Sequence, residues 1–310
     1  MRNKAQIESK TKQKMNGLLD VQTRFPDEQT CRDFFEKARW NGNSSCPHCK
    51  SERISKRFKD GKTYFCGECR KPFTVKIGTI FEDSALPMQK WFFAIYLMTA
   101  HKKGVSSCQL SRDIQVTQKT AWFMLQRIRH AMKTKSLFKQ IKGTVEVDET
   151  YVGGKATGTK ITGRGAKNKT IVFGMAERNG EVRAQIVTRV NGDTLKPIIR
   201  ENVDKDAVIM SDEHGGYYNL KAEFKGHEIV KHGKKEYARG GVHVNNIENF
   251  WSMLKRGILG IYHHTSKEHL HRYVDEFQYR YNSRKDEDTD RFTSILGQCE
   301  GRLTYATLIN

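Results

Sequence analysis

The stretch from Val242 to Gly260, VHVNNIENFWSMLKRGILG, decides how the rest of the chain is interpreted. A helix has 3.6 residues per turn, so side chains separated by a near-whole number of turns share a stripe. One such stripe holds Asn245, Glu248, Lys255 and Leu259. The adjoining stripe is apolar and holds Ile247, Phe250, Trp251 and Leu254. The stretch therefore predicts a helix pinned by its apolar face. Its other stripe is either a functional set of polar groups or simply a solvated surface.

The charge of the chain favours a polyanionic partner. Its 310 residues carry a formal net charge of +20, and a protein that neutralises phosphates gains affinity from released counterions. The length allows two or three domains. No run of about 18 apolar residues is present, and the N-terminal MRNKAQIESKTKQK lacks the apolar segment of a signal peptide. We therefore expect no membrane partner and a cytoplasmic location.

Two Cys-x-x-Cys pairs form the strongest local signal. Cys46 and Cys49 are separated by sixteen residues from Cys66 and Cys69, which suits tetrahedral coordination of a structural Zn²⁺ by four thiolates. Asp60-Gly61 marks a hairpin between the pairs. A redox pair is the alternative, but no thioredoxin-like βαβ pattern surrounds either pair. The hairpin also offers DNA phosphates a basic face made of Arg53, Lys56, Arg57, Lys59 and Lys62.

Three helices are predicted between Leu86 and Met132. The first is apolar almost all round and should be buried. The second and third flank a turn at Gln115–Thr117 and resemble a helix-turn-helix, although a plain three-helix bundle has the same pattern. Beside its apolar face, the third helix carries Lys119, Gln126, Arg127 and Arg129.

The character of the sequence changes to β at Thr144–Val152, TVEVDETYV. Its alternation sets Val145, Val147 and Thr150 against Glu146, Asp148 and Tyr151. An acidic residue inside a strand is costly unless it is exposed or bound to a cation, so Asp148 is either a solvent-facing residue or a metal ligand. Two further strands, joined at Asn179-Gly180, complete an antiparallel meander. A helix over 191–203, a buried strand at 207–210 that ends before Asp212, and a strand at 225–230 follow.

This order of three strands, a helix, two strands and a helix predicts an α/β RNase H-like mixed sheet. In that arrangement Asp148, Asp212 and Glu248 meet. Three carboxylates repel one another, so a cation is the natural compensation, and oxygen ligands select Mg²⁺ or Mn²⁺. Two such ions would support in-line attack on a phosphodiester. Asn245 could complete the shell through its amide oxygen, and Lys255 could hold a DNA phosphate.

The motifs resemble those of bacterial insertion-sequence transposases of the DDE superfamily, in the family with an N-terminal zinc ribbon and an integrase-like catalytic domain. The matching phrases are CPHC with CGEC, VEVDETYVGGK, SDEHGGY and HVNNIENFWSMLKRGI. The resemblance implies cleavage of DNA at element ends and transfer of the 3′-hydroxyl into target DNA by a nucleoid-associated protein. It assigns Asp148 and Asp212 to the first two acidic positions, Asn245 and Glu248 to the third cluster, and Lys255 to the basic partner. Asn245 and Glu248 remain alternatives for the third metal ligand.

We predict five segments on this basis. They are a flexible basic arm (1–24), a zinc ribbon with a short leading helix (25–80), a helical helix-turn-helix-like DNA-binding region (81–140), the RNase H-like catalytic domain (141–285) and a C-terminal tail (286–310). Synapsis of two DNA ends further implies a homo-oligomer, a dimer or larger, on double-stranded DNA. Two rival functions stay open: a DNA-binding regulator without catalysis, and a metal-dependent nuclease without strand transfer.

Overall fold

A computed structural model of the chain describes residues 14–56, 60–133, 139–153, 169–230 and 240–309. The described residues divide into two compact units. The first comprises those up to Met132 together with those from Lys285 onward, and the second runs from Lys133 to Arg284.

The elements are numbered here in chain order. The first part of the chain holds α1 (Leu18–Arg24), α2 (Glu28–Trp40), β1 (Ile54–Lys56), β2 (Thr63–Cys66), β3 (Pro72–Thr74), α3 (Met88–Ala100), α4 (Ser107–Asp113) and α5 (Gln118–Met132). The central part holds β4 (Thr144–Val152), β5 (Thr170–Glu177), β6 (Val182–Val187), α6 (Gly192–Asn202), β7 (Val208–Ser211) and β8 (Gly226–Ile229). The last part holds α7 (Asn245–Gly257), a π-helical turn (Ile258–Tyr262), α8 (Leu270–Asn282), α9 (Asp288–Gly297) and α10 (Tyr305–Ile309).

The zinc-ribbon segment of the first unit is a three-stranded antiparallel sheet in the order β1-β2-β3. Asp27 caps α2 by accepting a hydrogen bond of 2.7 Å from the backbone N–H of Thr30, as expected of an N-cap aspartate. Gly61 adopts a positive φ of 63° at the predicted hairpin turn. Arg53 and Lys62 are exposed, whereas Arg57, Lys59 and the side chain of Lys56 lie outside the described residues.

The helical region contains the predicted pair α4 and α5, with a tight turn between them in which Gln115 has a positive φ of 53°. The prediction for the polar side chains of α5 was largely wrong: Gln126, Arg127 and Arg129 are buried. The Arg127 guanidinium donates to the carbonyl oxygens of Ile80 and Glu82 at 2.8 Å, so it stabilises the fold from inside. Lys119, near the start of α5, stays exposed.

The predicted flexible arm and C-terminal tail both contain helices. Residues 1–13 of the arm lie outside the described part of the chain, but α1 is helical and Val21 is fully buried. In α9, Phe292 is also fully buried and packs 5.8 Å from the ring of Phe25. Apolar contacts within the first unit therefore involve both the described part of the predicted arm and the C-terminal segment.

The second unit is built on a five-stranded mixed sheet in the order β6-β5-β4-β7-β8. β4 is antiparallel to β5 and parallel to β7, β5 is antiparallel to β6, and β7 is parallel to β8. Numbered within the sheet, this is the order 3-2-1-4-5 with only the second strand reversed. The predicted RNase H-like α/β fold is therefore confirmed, and α6 lies on the connection from β6 to β7.

Two apolar cores cover the two faces of this sheet. Leu195 and Ile199 of α6 pack with Val145 and Val147 on one face. On the other face, α7 and α8 supply the larger set, which includes Phe250, Trp251, Leu254, Val274 and Phe277. The predicted apolar stripe of α7 is thus its buried face. No helix in the described part of the chain has the length and apolarity needed to cross a bilayer.

Candidate active site and zinc centre

The alternation of β4 determines which of its acidic residues share a face. Val145 and Val147 point into the core under α6, and Val152 points into the core under α7. Because successive side chains alternate, Glu146, Asp148 and Thr150 face α7, while Glu149 and Tyr151 face α6. The prediction that grouped Thr150 with the two valines and Tyr151 with Asp148 was wrong.

Asp148 and Asp212 lie side by side on neighbouring parallel strands. The last pair of the β4–β7 ladder is Glu146 and Met210, and two residues further along each chain come Asp148 and Asp212. Both continue the side of the sheet that faces α7 and α8, since Met210 belongs to the core there. Asp212 therefore follows the carboxyl end of β7, where open α/β sheets place their ligands. Its charge raises the pKa of Asp148, so the two carboxylates lie near each other.

The environment of Asp148 is crowded with negative charge. Burial, followed by the nearby carboxylates of Glu149 and Asp212, raises the pKa of Asp148 to about 7. The Trp251 indole opposes this by donating a hydrogen bond of 2.9 Å from Nε1 to Oδ2 of Asp148. The backbone N–H of Glu149 also donates a hydrogen bond to this carboxylate, so two protein donors hold Asp148 in place.

A glycine makes the Trp251 contact possible. Gly174 of β5 pairs directly with Asp148. A Cβ at this position would lie 2.6 Å from Cη2 of Trp251 and 2.9 Å from Cδ1 of Ile247, which is closer than side-chain carbons approach. Because Gly174 has no side chain, the Trp251 indole can lie against β5.

Asp212 is oriented by the loop that follows it. Its Oδ1 accepts a hydrogen bond of 3.0 Å from the backbone N–H of His214. The His214 ring in turn accepts from the backbone N–H of Gly216 through Nδ1 at 3.1 Å. One oxygen of Asp212 is thus fixed by the turn, and among the described residues nothing donates to Oδ2.

Glu149 was not anticipated as part of the site. Its Oε2 accepts a hydrogen bond of 2.6 Å from the buried hydroxyl of Tyr217. Burial raises the pKa of Glu149, an effect that the Tyr217 hydrogen bond opposes and the charge of Asp212 reinforces. Glu149 therefore adds negative charge beside the aspartates from the α6 side of the sheet.

The remaining candidates lie on α7. Asn246 and Ile247, which are next to Asn245 and Glu248 in the sequence, contact Glu146 of β4. Asn245, Glu248 and Lys255 are all exposed. Glu248 lies one turn before Trp251, which reaches Asp148. In the described part of the chain, no three carboxylates have oxygens within 4.8 Å of one another. The structure thus brings Asp148 and Asp212 together and leaves Glu248 on the adjoining helix.

The four predicted cysteine ligands do come together. Their sulfur atoms all lie within 4.8 Å of one another, with 3.7 Å between Cys46 and Cys69 and 3.6 Å between Cys49 and Cys66. A tetrahedron with Zn–S bonds of about 2.3 Å has edges of about 3.8 Å, so the arrangement fits zinc. Hydrogen bonds from the backbone N–H groups of Cys69 and Glu68 lower the pKa of Cys66, whereas the neighbouring thiols of the cluster raise the pKa of Cys69.

Comparison with known protein families matches both parts of the chain. Residues 140–282 match the ISXO2-like transposase domain, and residues 26–72 match the transposase zinc-ribbon domain. The chain belongs to the insertion-sequence transposases of the DDE superfamily. The family predicted from the motifs is therefore confirmed, as is the presence of a structural zinc site of four cysteines.

Two relatives support the assignment of this transposase to its family. An uncharacterized protein in transposable element ISH50 of Halobacterium salinarum is 29% identical over 280 residues, covering 85% of this chain and 93% of the relative. An uncharacterized transposase-like protein of Haemophilus influenzae is 32% identical over 103 residues, covering 33% of this chain and 82% of the relative. Among solved structures, the Mos1 strand transfer complex is 14% identical with a TM-score of 0.29, covering 67% of this chain and 78% of that one.

The sequence analysis proposed Asp148, Asp212 and Glu248 as site residues but did not point to the groups around them. Trp251 was assigned only to the apolar stripe, because an indole N–H is invisible in a hydrophobicity pattern. Glu146 and Gly174 stood in strands without a motif of their own. In the sequence, Glu146 was marked only as an acidic residue two positions before Asp148. Gly174 was marked only as a glycine inside a strand, which often indicates that another group lies close to the backbone.

Proposed function

We propose that this transposase cleaves DNA strands at the ends of an insertion sequence and transfers the resulting 3′-hydroxyl into target DNA, with Asp148, Asp212 and Glu248 as its metal-binding carboxylates. The observation that carries the proposal is the pairing of Asp148 and Asp212. Asp148 accepts hydrogen bonds from the Trp251 indole and the Glu149 backbone N–H, and Asp212 accepts one from the His214 backbone N–H. These bonds orient two carboxylates that are close enough for the charge of Asp212 to raise the pKa of Asp148.

The donor set fits Mg²⁺ or Mn²⁺. Carboxylate oxygens are the ligands that these hard cations prefer. Burial, followed by the charges of Glu149 and Asp212, raises the pKa of Asp148, and a bound cation would offset these effects. When bound, such ions supply the Lewis acid that activates an attacking oxygen and stabilises a leaving one. Glu248 is the proposed third carboxylate ligand, with Asn245 as the alternative through its amide oxygen.

The reaction then consists of two displacements at phosphorus. In the first, water attacks the phosphodiester at the element end, the P–O3′ bond breaks and a free 3′-hydroxyl results. In the second, that hydroxyl attacks a target phosphodiester, forming a new P–O bond and releasing a target 3′-hydroxyl. The exposed ammonium of Lys255 is placed to bind a DNA phosphate.

DNA is the proposed partner on grounds of charge. The net charge of +20 and the exposed Arg53, Lys62 and Lys119 support binding of double-stranded element ends and target. We propose that the predicted ribbon and helix-turn-helix segments bind the ends, that two or more copies assemble on DNA, and that the protein acts at the nucleoid in the cytoplasm.

The test is cleavage of a labelled duplex carrying the element end, with Mg²⁺, with Mn²⁺ or with neither. Asp148→Asn, Asp212→Asn and Glu248→Gln should each reduce nicking by at least 100-fold while DNA binding persists. Glu201→Gln is the matched control, because Glu201 is an exposed carboxylate on α6. Nicking that survives one substitution would remove that residue from the site.

A second assay separates the alternatives. Precleaved element ends are incubated with supercoiled target plasmid, and joined products are counted. Joining supports the transposase, cleavage without joining supports the nuclease, and specific binding with neither activity supports the regulator.

A further inference from the structure

Glu146 is a fully buried carboxylate on the same face of β4 as Asp148. Both carboxylate oxygens of Glu146 accept hydrogen bonds. Oε2 accepts from the backbone N–H groups of Asn246 at 2.7 Å and Ile247 at 3.2 Å. Oε1 accepts from the side-chain amide of Asn246 at 2.8 Å and from Nε of Arg178 at 3.0 Å. A buried charge is tolerated when it is paired and fully hydrogen-bonded, as this one is.

Three of these four donors belong to the first turn of α7, and two of the three are backbone N–H groups. The first backbone N–H groups of a helix have no partner within the helix, and the N-cap residue Val244 supplies no side-chain acceptor. Glu146 therefore caps α7 from a different element, and its negative charge also suits the positive end of the helix dipole.

Arg178 fixes the segment that leads into the helix. Besides Glu146, its guanidinium donates to the carbonyl oxygens of Gly241 at 2.7 Å and His243 at 3.0 Å. His243 also approaches Glu146, with Nδ1 3.2 Å from Oε1. Hydrogen bonds to Glu146 and Arg178 therefore hold the backbone on both sides of Asn245, the first residue of α7.

These contacts affect the position of Glu248, the third proposed metal ligand. Glu146 is two residues from Asp148, about 7 Å along the strand, and Asn246 is two residues from Glu248, about 3 Å along the helix axis. Resting on the proposed function, we propose that Glu146 is a positioning residue that sets the place of Glu248 relative to Asp148 by binding the first turn of α7.

Glu146→Gln tests this role with little change of shape. The amide keeps one acceptor oxygen but presents an NH₂ group to donors that need a carboxylate. Glu276→Gln is the matched control, since Glu276 is also fully buried and is bound by Arg280 and by the hydroxyl of Tyr262, away from the start of α7. Both variants lose a buried charge, but only the first should affect the carboxylate site.

The measurement is the dissociation constant of Mn²⁺, followed by its electron paramagnetic resonance signal, on the zinc-loaded full chain without DNA. Glu146→Gln should weaken Mn²⁺ binding about tenfold, as loss of a group that orients a ligand does. In a Glu248→Ala background the same substitution should change the constant less than twofold, because the residue through which it acts is gone. Glu276→Gln should leave it unchanged in both backgrounds.

The outcomes separate this inference from the proposed function. Equal weakening by Glu146→Gln in both backgrounds, or none in a folded protein, overturns the positioning role and leaves the metal site intact. No effect of Glu248→Ala overturns both the positioning role and the third ligand. No effect of Asp148→Asn and Asp212→Asn overturns the metal site itself. If Glu146→Gln does not fold at the assay temperature, Asn246→Ala replaces it and should weaken binding in the same background-dependent way.

Discussion

At the residue scale, the site around Asp148 is destabilising for the protein without bound divalent cation. The pKa of Asp148 is raised to about 7, so the unfolded chain loses this proton at lower pH than the folded one. The resulting penalty is absent below about pH 4, grows as the pH rises, and is complete above about pH 7. The shift sets an upper limit of about 4 kcal/mol.

Asp148→Asn should therefore stabilise the protein. Without added divalent cation, we expect the free energy of unfolding to rise by about 1–3 kcal/mol at pH 8 and the gain to shrink as the pH falls to 5. Thermal unfolding at the two pH values measures this, with Glu201→Gln as an exposed control that should change little at either. A lower melting temperature for Asp148→Asn at pH 8 would contradict the conclusion that ionised Asp148 destabilises the folded protein.

Gly174→Ala tests the packing that holds the Asp148 hydrogen bond. The added methyl would lie 2.6 Å from the indole of Trp251, so the ring must move away from Asp148 Oδ2. We expect a loss of about 1–3 kcal/mol in the free energy of unfolding and at least a tenfold loss of cleavage. Gly260→Ala is the control, because a Cβ there meets nothing within 4 Å. Full cleavage by Gly174→Ala would show that the indole contact is dispensable.

At the element scale, periodicity was sufficient to predict β4, β7 and α7, because each buries one face or both against a large core. Periodicity failed where a buried polar side chain forms hydrogen bonds with backbone groups that are far away in the sequence. Arg127 sits at a polar position of α5, yet its donors meet two carbonyl oxygens some 45 residues earlier in the chain. The same limit hid Glu146, whose backbone donors on α7 lie 100 and 101 residues later. Local pattern gives the helix, but only the fold gives its cap.

The crossing of α7 and α8 depends on Gly257. A Cβ there would lie 1.9 Å from Cζ of Phe277, a fully buried ring. Gly257→Ala should therefore force the two helices apart and cost about 1–3 kcal/mol, although alanine favours helix formation. Chemical denaturation measures the change, and Gly260→Ala again supplies the control. An unchanged or increased stability would mean that the crossing can relax without loss.

At the scale of the whole molecule, the zinc centre and the carboxylate centre belong to different compact units, each with a core of its own. Four thiolates complete the shell of the zinc, so that metal holds a fold and leaves no position for a substrate. This separation agrees with the division of labour proposed above, in which the first unit recognises DNA and the second carries out the chemistry.

Cys49→Ser separates the two roles. Losing one thiolate should release zinc and unfold the ribbon, so we expect affinity for the element end to fall at least tenfold. Mn²⁺ binding by the carboxylate site should change less than twofold, because Lys133–Arg284 contains its own sheet and core. Zinc content, duplex binding and the Mn²⁺ dissociation constant measure the three effects, with Cys108→Ser, an exposed cysteine outside the cluster, as control. A matching loss of Mn²⁺ affinity would mean that the two units fold as one cooperative body and that the ribbon also supports catalysis.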